Sequence, residues 1–256
     1  MDEAVARCEA AIATRAYLQH MSVNANKFAG MHGDPELREM VRSCGLVTAD
    51  GQSVVWGTRL LGARLPERVA GIDLMTRLLE AADREGYAIF VLGAKREVLD
   101  TAMAKIRERY PGLAIAGARD GYYEDDEAAE VCDEIRASGA DMLFVAMSSP
   151  RKEYFLGERG PSLGVPFAMG VGGSIDVIAG LTRRAPEALQ RAGLEWAYRL
   201  AQEPRRLAHR YLKTNARFAL MVLKALVTRR GSAVAVPTPD EPSVAAARRE
   251  PSGQAR

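Results

Sequence analysis

The chain has 256 residues, of which 48% are hydrophobic and 27% charged, so it can bury one sizeable core. Its three cysteines, Cys8, Cys44 and Cys132, are too few and too widely spaced for a disulfide framework or a zinc site. We expect neither a membrane-spanning segment nor a signal peptide, because no long apolar run occurs and the first residues are acidic rather than apolar.

The predicted elements alternate between helices and apolar strands as far as residue 169. Helices are predicted over 2–14, 34–43, 72–85, 96–110, 125–138 and 151–158, and strands over 17–23, 45–49, 87–92, 113–116, 142–146 and 165–169. Apolar strands that alternate with amphipathic helices are typical of a parallel α/β sheet covered on both faces. In such a sheet a ligand binds beyond the carboxyl ends of the strands.

After Pro186 the pattern becomes wholly helical and strongly basic. The segment from Leu181 to Arg230 holds 12 Lys and Arg against 3 Glu, a net charge of +9, whereas the whole chain carries +2. Such segregated charge indicates a polyanionic partner, which is a nucleic acid, an anionic membrane surface or the phosphates of a substrate.

The basic segment also carries an apolar face, which favours a helix at a membrane surface over a nucleic-acid groove. Its members are Trp196, Tyr198, Leu200, Leu207, Tyr211, Leu212, Phe218, Leu220, Met221 and Leu223. We therefore predict an α/β domain over 1–192, a helical membrane-associating appendage over 193–230 and a disordered tail over 231–256, which is rich in Pro, Ala and Ser.

Two glycine-containing turns follow predicted strands and precede helices. Gly170, Gly172 and Gly173 form the first, and Gly93 with Ala94 forms the second. Glycines let the backbone approach a phosphate, although the same residues also suit an ordinary tight turn. The dinucleotide fingerprint G-x-G-x-x-G is missing, which argues against a nicotinamide-dependent oxidoreductase.

Two carboxylates stand at predicted strand ends. Asp50 occupies the position that a general base needs, at the mouth of a predicted cleft, but Asp-Gly is also a common turn. Asp176 is placed either to bind ribose hydroxyls or to cap a helix. The acidic run at 124–127 is better explained as a helix start than as a metal site. We predict no metal and no cofactor.

A set of short motifs, in this order and at this spacing, resembles the WecG/TagA/CpsF family of bacterial glycosyltransferases (glycosyltransferase family 26). The resemblance runs from about residue 17 to 218 and rests on ADG at 49–51, LPERV at 65–69, GIDL at 71–74, PRKE at 150–153, GVGGSID at 170–176, RAP at 184–186, GLEW at 193–196 and EPRR at 203–206. It implies a Rossmann-like α/β fold. It also implies an enzyme that transfers a sugar from a UDP-sugar to a sugar on undecaprenyl diphosphate, with inversion and without a metal.

The resemblance also implies roles for particular residues. Asp50 is the general base, Ser22 and Asn24 correspond to a Thr-x-Asn substrate motif, and Arg68 helps to bind the substrate. Lys152 stands where the family usually has glutamine, and a lysine there suits a phosphate or a different sugar substituent. The transferred sugar therefore stays open among N-acetylmannosamine, its uronic acid and a glucose-like sugar.

The basic appendage is expected to bring the enzyme to the inner face of the plasma membrane and to close over the site. Arg199 and Arg206 match two family arginines, and the third falls on His209, with Arg210 adjacent. The partners implied are a UDP-sugar, a lipid-linked sugar acceptor and an anionic membrane surface, with no nucleic acid. Both a monomer and a homo-oligomer are compatible with the sequence.

Overall fold

The structure is a computed structural model that describes residues 1–63 and 65–229. Within these ranges the side chains at positions 125, 206, 207, 209, 210 and 229 are not described. The predicted disordered tail over 231–256 lies outside the described residues.

A parallel sheet runs through the described chain and confirms the predicted α/β fold. Its order is β2-β1-β6-β5-β3-β4, and every neighbouring pair is parallel. The strands are β1 (Leu18–Val23), β2 (Leu46–Ala49), β3 (Ala88–Gly93), β4 (Ala114–Arg119), β5 (Met142–Ala146) and β6 (Phe167–Gly170). Because β3 leads outward to β4 while β5 leads inward to β6, the chain changes direction between β3 and β5, where a crevice forms in such sheets.

Helices connect the strands and complete the C-terminal part of the described chain. They are α1 (Asp2–Thr14), α2 (Ala25–Gly33), α3 (Pro35–Ser43), α4 (Gln52–Leu60), α5 (Gly71–Glu85), α6 (Arg96–Arg109), α7 (Ala128–Ser138), α8 (Arg151–Arg159), α9 (Ser174–Ala179), α10 (Glu187–Arg191), α11 (Glu195–Gln202) and α12 (Pro204–Arg229). No helix in the described ranges is both long and apolar enough to cross a lipid bilayer.

The core lies on both faces of the sheet. Along β3, Ile89 and Val91 pack with α1, α5, α6 and α9, while Phe90 and Leu92 pack with α7 and α8 on the opposite face. Alternate side chains of a strand point to opposite faces, so a strand buried on both sides is apolar throughout. This explains why the sequence predicted the inner strands well.

Two short helices, α2 and α4, were not predicted. Each follows a strand end that carries a candidate site residue, with α2 after Asn24 and α4 after Gly51. The sequence of α4 contains the β-branched Val54 and Val55 and also Gly57, all poor helix formers. Tertiary packing must therefore stabilise this helix.

The long helix α12 supplies that packing by lying across both α2 and α4. The ring of Phe218 meets the ring of Phe28 edge to face at 5.4 Å, and it sits where a side chain on Gly57 would lie. Phe218 is therefore buried. The expectation that it belongs to the exposed apolar face of the appendage is wrong, because it anchors α12 to the core.

Candidate active site

Asp50 lies at the carboxyl end of β2, beside the end of β1. Its backbone N–H donates to the carbonyl oxygen of Val23 at 3.0 Å, which ties the two strand ends together. Its partly buried carboxylate accepts a hydrogen bond from the N–H of Gly71, the first residue of α5. The positive end of a helix dipole therefore faces this carboxylate.

The surroundings of Asp50 change its affinity for protons. Burial raises the pKa of Asp50 above its usual value, and the nearby Glu195 adds to this effect. The positive charges of Arg68 and Arg199 act in the opposite direction but do not cancel the effect of burial. A carboxylate with a raised pKa is a stronger base, which suits the removal of a proton from a hydroxyl group.

A chain of ion pairs surrounds Asp50. Glu195 of α11 binds Arg68 at 3.3 Å and lies 3.7 Å from Arg184, which also pairs with Asp73 of α5. The Nε atom of Arg199 is buried and has no hydrogen-bond partner among the described residues. Partly buried guanidinium groups beside a carboxylate can bind phosphate oxygens once a substrate enters.

Ser22 and Asn24 lie next to this group at the end of β1. The hydroxyl oxygen of Ser22 is 3.5 Å from the position that a Cβ atom on Gly71 would occupy, so the end of β1 lies in van der Waals range of the start of α5. The Oδ1 atom of Asn24 accepts a hydrogen bond from the N–H of Lys27 at 3.0 Å and caps α2. The Asn24 amide group still has donors for a substrate.

A second group of charges, at the start of α8, is centred on the fully buried Glu153. Its Oε1 atom lies 2.8 Å from the ammonium nitrogen of Lys27, 3.1 Å from that of Lys152 and 2.7 Å from the hydroxyl oxygen of Ser149. Burial opposes the ionisation of Glu153, but these partners outweigh it and hold the pKa of Glu153 below its usual value. Burial also lowers the pKa of Lys152.

Lys152 lies against the glycine turn that follows β6. A Cβ atom on Gly170 would be 3.0 Å from Cδ of Lys152, and one on Gly172 would be 3.8 Å from its ammonium nitrogen. Asp176, in the first turn of α9, places its Oδ2 atom 3.5 Å from the corresponding point on Gly173. The structure thus joins Lys152 to the predicted phosphate-binding glycines.

The turn after β3 is tightly constrained. Gly93 has a φ of +127°, and a Cβ atom there would be 2.5 Å from the backbone of Ala146 at the end of β5. Ala94 has a φ of +62°, which is unusual for a residue with a side chain, and its N–H donates to Ala146 at 3.1 Å. Strained backbone of this kind concentrates at functional sites, and this turn borders the crevice between β3 and β5.

The structure brings most of the predicted residues to one edge of the sheet, in three groups. They are Ser22, Asn24, Asp50, Arg68 and Arg199 beside α5, then Lys152 with Gly170, Gly172, Gly173 and Asp176 at β6, then Gly93 and Ala94 at β3. Arg206 and Arg210 belong to α12, but their side chains lie outside the described part of the chain.

Four charged residues of the site had no assigned role in the sequence analysis: Lys27, Glu153, Arg184 and Glu195. The last three stand in the PRKE, RAP and GLEW motifs, which could have indicated them. Lys27 lies in no motif. Across the described ranges, no group of three His, Cys, Asp or Glu side chains is placed to hold a metal ion.

The fold, with one candidate base among arginines and glycine turns along the same edge, has the features expected of a glycosyltransferase. The model of the glycosyl transferase WecG/TagA/CpsF family matches residues 1–232, and the chain belongs to this family. The N-acetylglucosaminyldiphosphoundecaprenol N-acetyl-beta-D-mannosaminyltransferase of Bacillus spizizenii is 38% identical to this chain over 186 residues, which cover 72% of each protein. The resemblance drawn from the sequence motifs is confirmed.

Proposed function

We propose that this protein transfers an N-acetylmannosamine-type sugar from UDP to an N-acetylglucosaminyl diphosphate lipid of the undecaprenol class, in the synthesis of a cell-surface polysaccharide. The name of the Bacillus spizizenii relative supports both the acceptor and the transferred sugar. The observation that carries the proposal is Asp50, a partly buried carboxylate of raised pKa that stands among arginines at the carboxyl edge of the sheet.

The proposed reaction is a single displacement. The acceptor hydroxyl gives its proton to Asp50, its oxygen forms a bond to C1 of the donor sugar, and the bond between C1 and the diphosphate breaks, so that UDP leaves with the electron pair. A base on one face of the sugar and a leaving group on the other invert the configuration at C1. The β-linkage in the relative's name is the product expected from an α-linked nucleotide sugar.

The leaving diphosphate needs positive charge and hydrogen-bond donors. Arg68 and Arg199 supply guanidinium groups, and the first turns of α6 and α9, which follow the turns at Gly93–Ala94 and Gly170–Gly173, supply backbone N–H groups. We place the nucleotide in the crevice between β3 and β5 and the sugar between it and Asp50. These groups can stabilise the developing charge without a divalent cation.

Excess EDTA is therefore expected to leave the rate of transfer from a UDP-sugar unchanged. The measurement is the initial rate with a water-soluble acceptor analogue, with and without the chelator. Loss of activity in EDTA, restored by magnesium or manganese, would contradict the metal-independent mechanism.

We propose that Lys152 contacts the donor sugar. Its positive charge should favour a negatively charged uronic acid donor over the matching neutral sugar, and this preference can be tested. Lys152→Gln is expected to lower kcat/KM for a UDP-linked uronic acid at least about tenfold relative to the matching neutral sugar, because a charge-assisted hydrogen bond contributes about 1.5–3 kcal/mol. The measurement compares UDP-N-acetylmannosamine with its uronic acid. Lys27 still pairs with Glu153 in this variant, so the fold should hold.

Lys152→Met serves as the matched variant, since it removes the charge without adding an amide. Both variants should shift the preference for the donor in the same direction. An equal change in kcat/KM for the two donors would show that Lys152 does not face the variable part of the sugar.

We further propose that α12 lies on the inner face of the plasma membrane. Leu212, Leu220, Leu223 and Val227 are exposed, and their spacing places them on one side of the helix, away from buried Phe218. An exposed apolar stripe within a segment of net charge +9 is typical of a helix that binds anionic lipid. Trp196 of α11 is also exposed and can join this surface.

A further inference from the structure

Glu195, the first residue of α11, joins the C-terminal helices to the α/β core. Only 8% of this residue is exposed to solvent. Its Oε2 atom lies 3.3 Å from Nη1 of Arg68, and its Oε1 atom lies 3.7 Å from Nε of Arg184. Arg184 also pairs with Asp73 of α5. Two arginines from distant parts of the chain therefore share one buried carboxylate.

A glycine brings Glu195 close to the loop that carries Asp50. Gly193, two residues before Glu195, has a φ of +73°, and a Cβ atom there would be 2.6 Å from Cγ of Gln52. Gln52 is the first residue of α4 and follows Asp50 by two residues. A side chain at position 193 would be strained and would displace Gln52. The glycine thus lets the start of α11 pack against the helix that follows the candidate base.

The charged groups that act on Asp50 come from three segments. They are Arg68 before α5, Arg184 before α10, and Glu195 and Arg199 of α11. Among the described residues, Arg68 forms its ion pair with Glu195 and none with Asp50. An arginine paired with Asp50 would stabilise its ionised form and weaken it as a base. Glu195 therefore keeps Arg68 near the base without a direct ion pair between the two.

We propose that Glu195 is a positioning residue for the transfer reaction, which holds Arg68 and Arg184 beside the reacting groups and prevents Arg68 from pairing with Asp50. This inference rests on the proposed function, because it takes Asp50 as the base. Glu195 acts through the two arginines and through the effect of its charge on Asp50. Its role differs from that of the basic residues of the appendage, because it contributes a negative charge.

The test compares Glu195→Gln and Glu195→Asp with the wild type, each in the full chain. Glu195→Gln keeps the length of the side chain but removes its charge. It is expected to lower kcat at least about tenfold, because the charge-assisted contact that positions Arg68 is lost. Its Kd for UDP, measured by titration calorimetry, should stay within about threefold of the wild-type value, since every guanidinium group remains. Glu195→Asp keeps the charge and should recover part of the lost rate.

The pH dependence of kcat/KM distinguishes this role from simple support of the fold. Burial raises the pKa of Asp50, the positive charges of Arg68 and Arg199 lower it, and the negative charge of Glu195 raises it. Removal of that negative charge leaves the arginines unopposed, so the pKa of Asp50 should fall. The acid-side inflection should therefore move to lower pH in Glu195→Gln and stay near the wild-type position in Glu195→Asp.

Glu187→Gln, which changes an exposed carboxylate in the first turn of α10, is the matched control and should alter neither kcat nor the inflection. Wild-type kcat in Glu195→Gln, or an inflection that does not move, would overturn the inference. So would a Kd for UDP that weakens as much as kcat falls, or a Glu195→Asp variant no faster than Glu195→Gln, because Glu195 would then only support the fold. Failure of the proposed function would appear instead in the wild type, as a protein that transfers sugar from no UDP-sugar.

Discussion

Asp50→Asn is expected to lower kcat by at least about a hundredfold, within the usual range for loss of an acid–base group. The amide keeps the size of the side chain and can still accept the hydrogen bond from Gly71, but it cannot take a proton from the acceptor hydroxyl. Binding of UDP should be nearly unchanged. Initial rates with a soluble acceptor analogue and a UDP titration measure the two effects separately.

The matched control is Glu67→Gln, which removes a largely exposed carboxylate next to Arg68. It should leave turnover close to that of the wild type. Turnover close to wild type in Asp50→Asn itself would mean that another group is the base.

The pH dependence of kcat/KM for the wild-type protein gives a second test of Asp50 as the general base. The ionised form of Asp50 is the active one, so kcat/KM should fall as the pH falls through its pKa. Because burial raises that pKa, the inflection should lie above the usual aspartate value of about 3.9. The inflection should be missing from the residual activity of Asp50→Asn.

Deletion of the chain after Ala192 is expected to abolish transfer to a soluble acceptor analogue and to release the protein from anionic liposomes. The deletion removes Glu195, which pairs with Arg68, and it removes Arg199 beside Asp50. It also removes basic residues that attract anionic lipid at about 1 kcal/mol each near the surface. Rates and liposome sedimentation measure the two losses.

Arg199→Ala in the full chain separates the two roles of the appendage. This variant should still bind liposomes but lose most of its activity, because the guanidinium group with a buried, unpaired Nε is gone. A chain that ends after Arg230 is the matched control and should retain both properties. If the chain that ends at Ala192 had full activity on the soluble analogue, the appendage would serve only as a membrane anchor.

The inner part of the fold could be predicted from the sequence because its strands are buried on both faces. The predicted and observed bounds of β5 are the same, 142–146. The edge strand β4 was predicted to end at residue 116 but continues to Arg119, whose charge is balanced by Glu130 and Glu134 of α7. A charged residue of this kind is compatible with an edge strand, but it does not continue the apolar pattern from which the end of the strand was predicted.

Site residues that directly follow a strand could be predicted from the sequence. Site residues that are brought together by packing between distant helices could not. Asp50 follows a strand directly, so its position could be predicted from the sequence. Glu195 reaches Arg68 only because α11 packs near the start of α5, and no local pattern contains that information. The pairing of Lys27 with Glu153 likewise joins two segments that are far apart in the chain.

The packing of Phe218 also has a consequence for the order in which the protein is completed during synthesis. Phe28 and Phe218 are 190 residues apart, and α2 and α4 both depend on the late helix for a packing partner. Chains are made from the N-terminus, and contacts of high sequence separation form late. The central strands can therefore assemble on the ribosome before α12 exists, whereas the packing of α2 and α4 against Phe218 forms only after that residue has emerged.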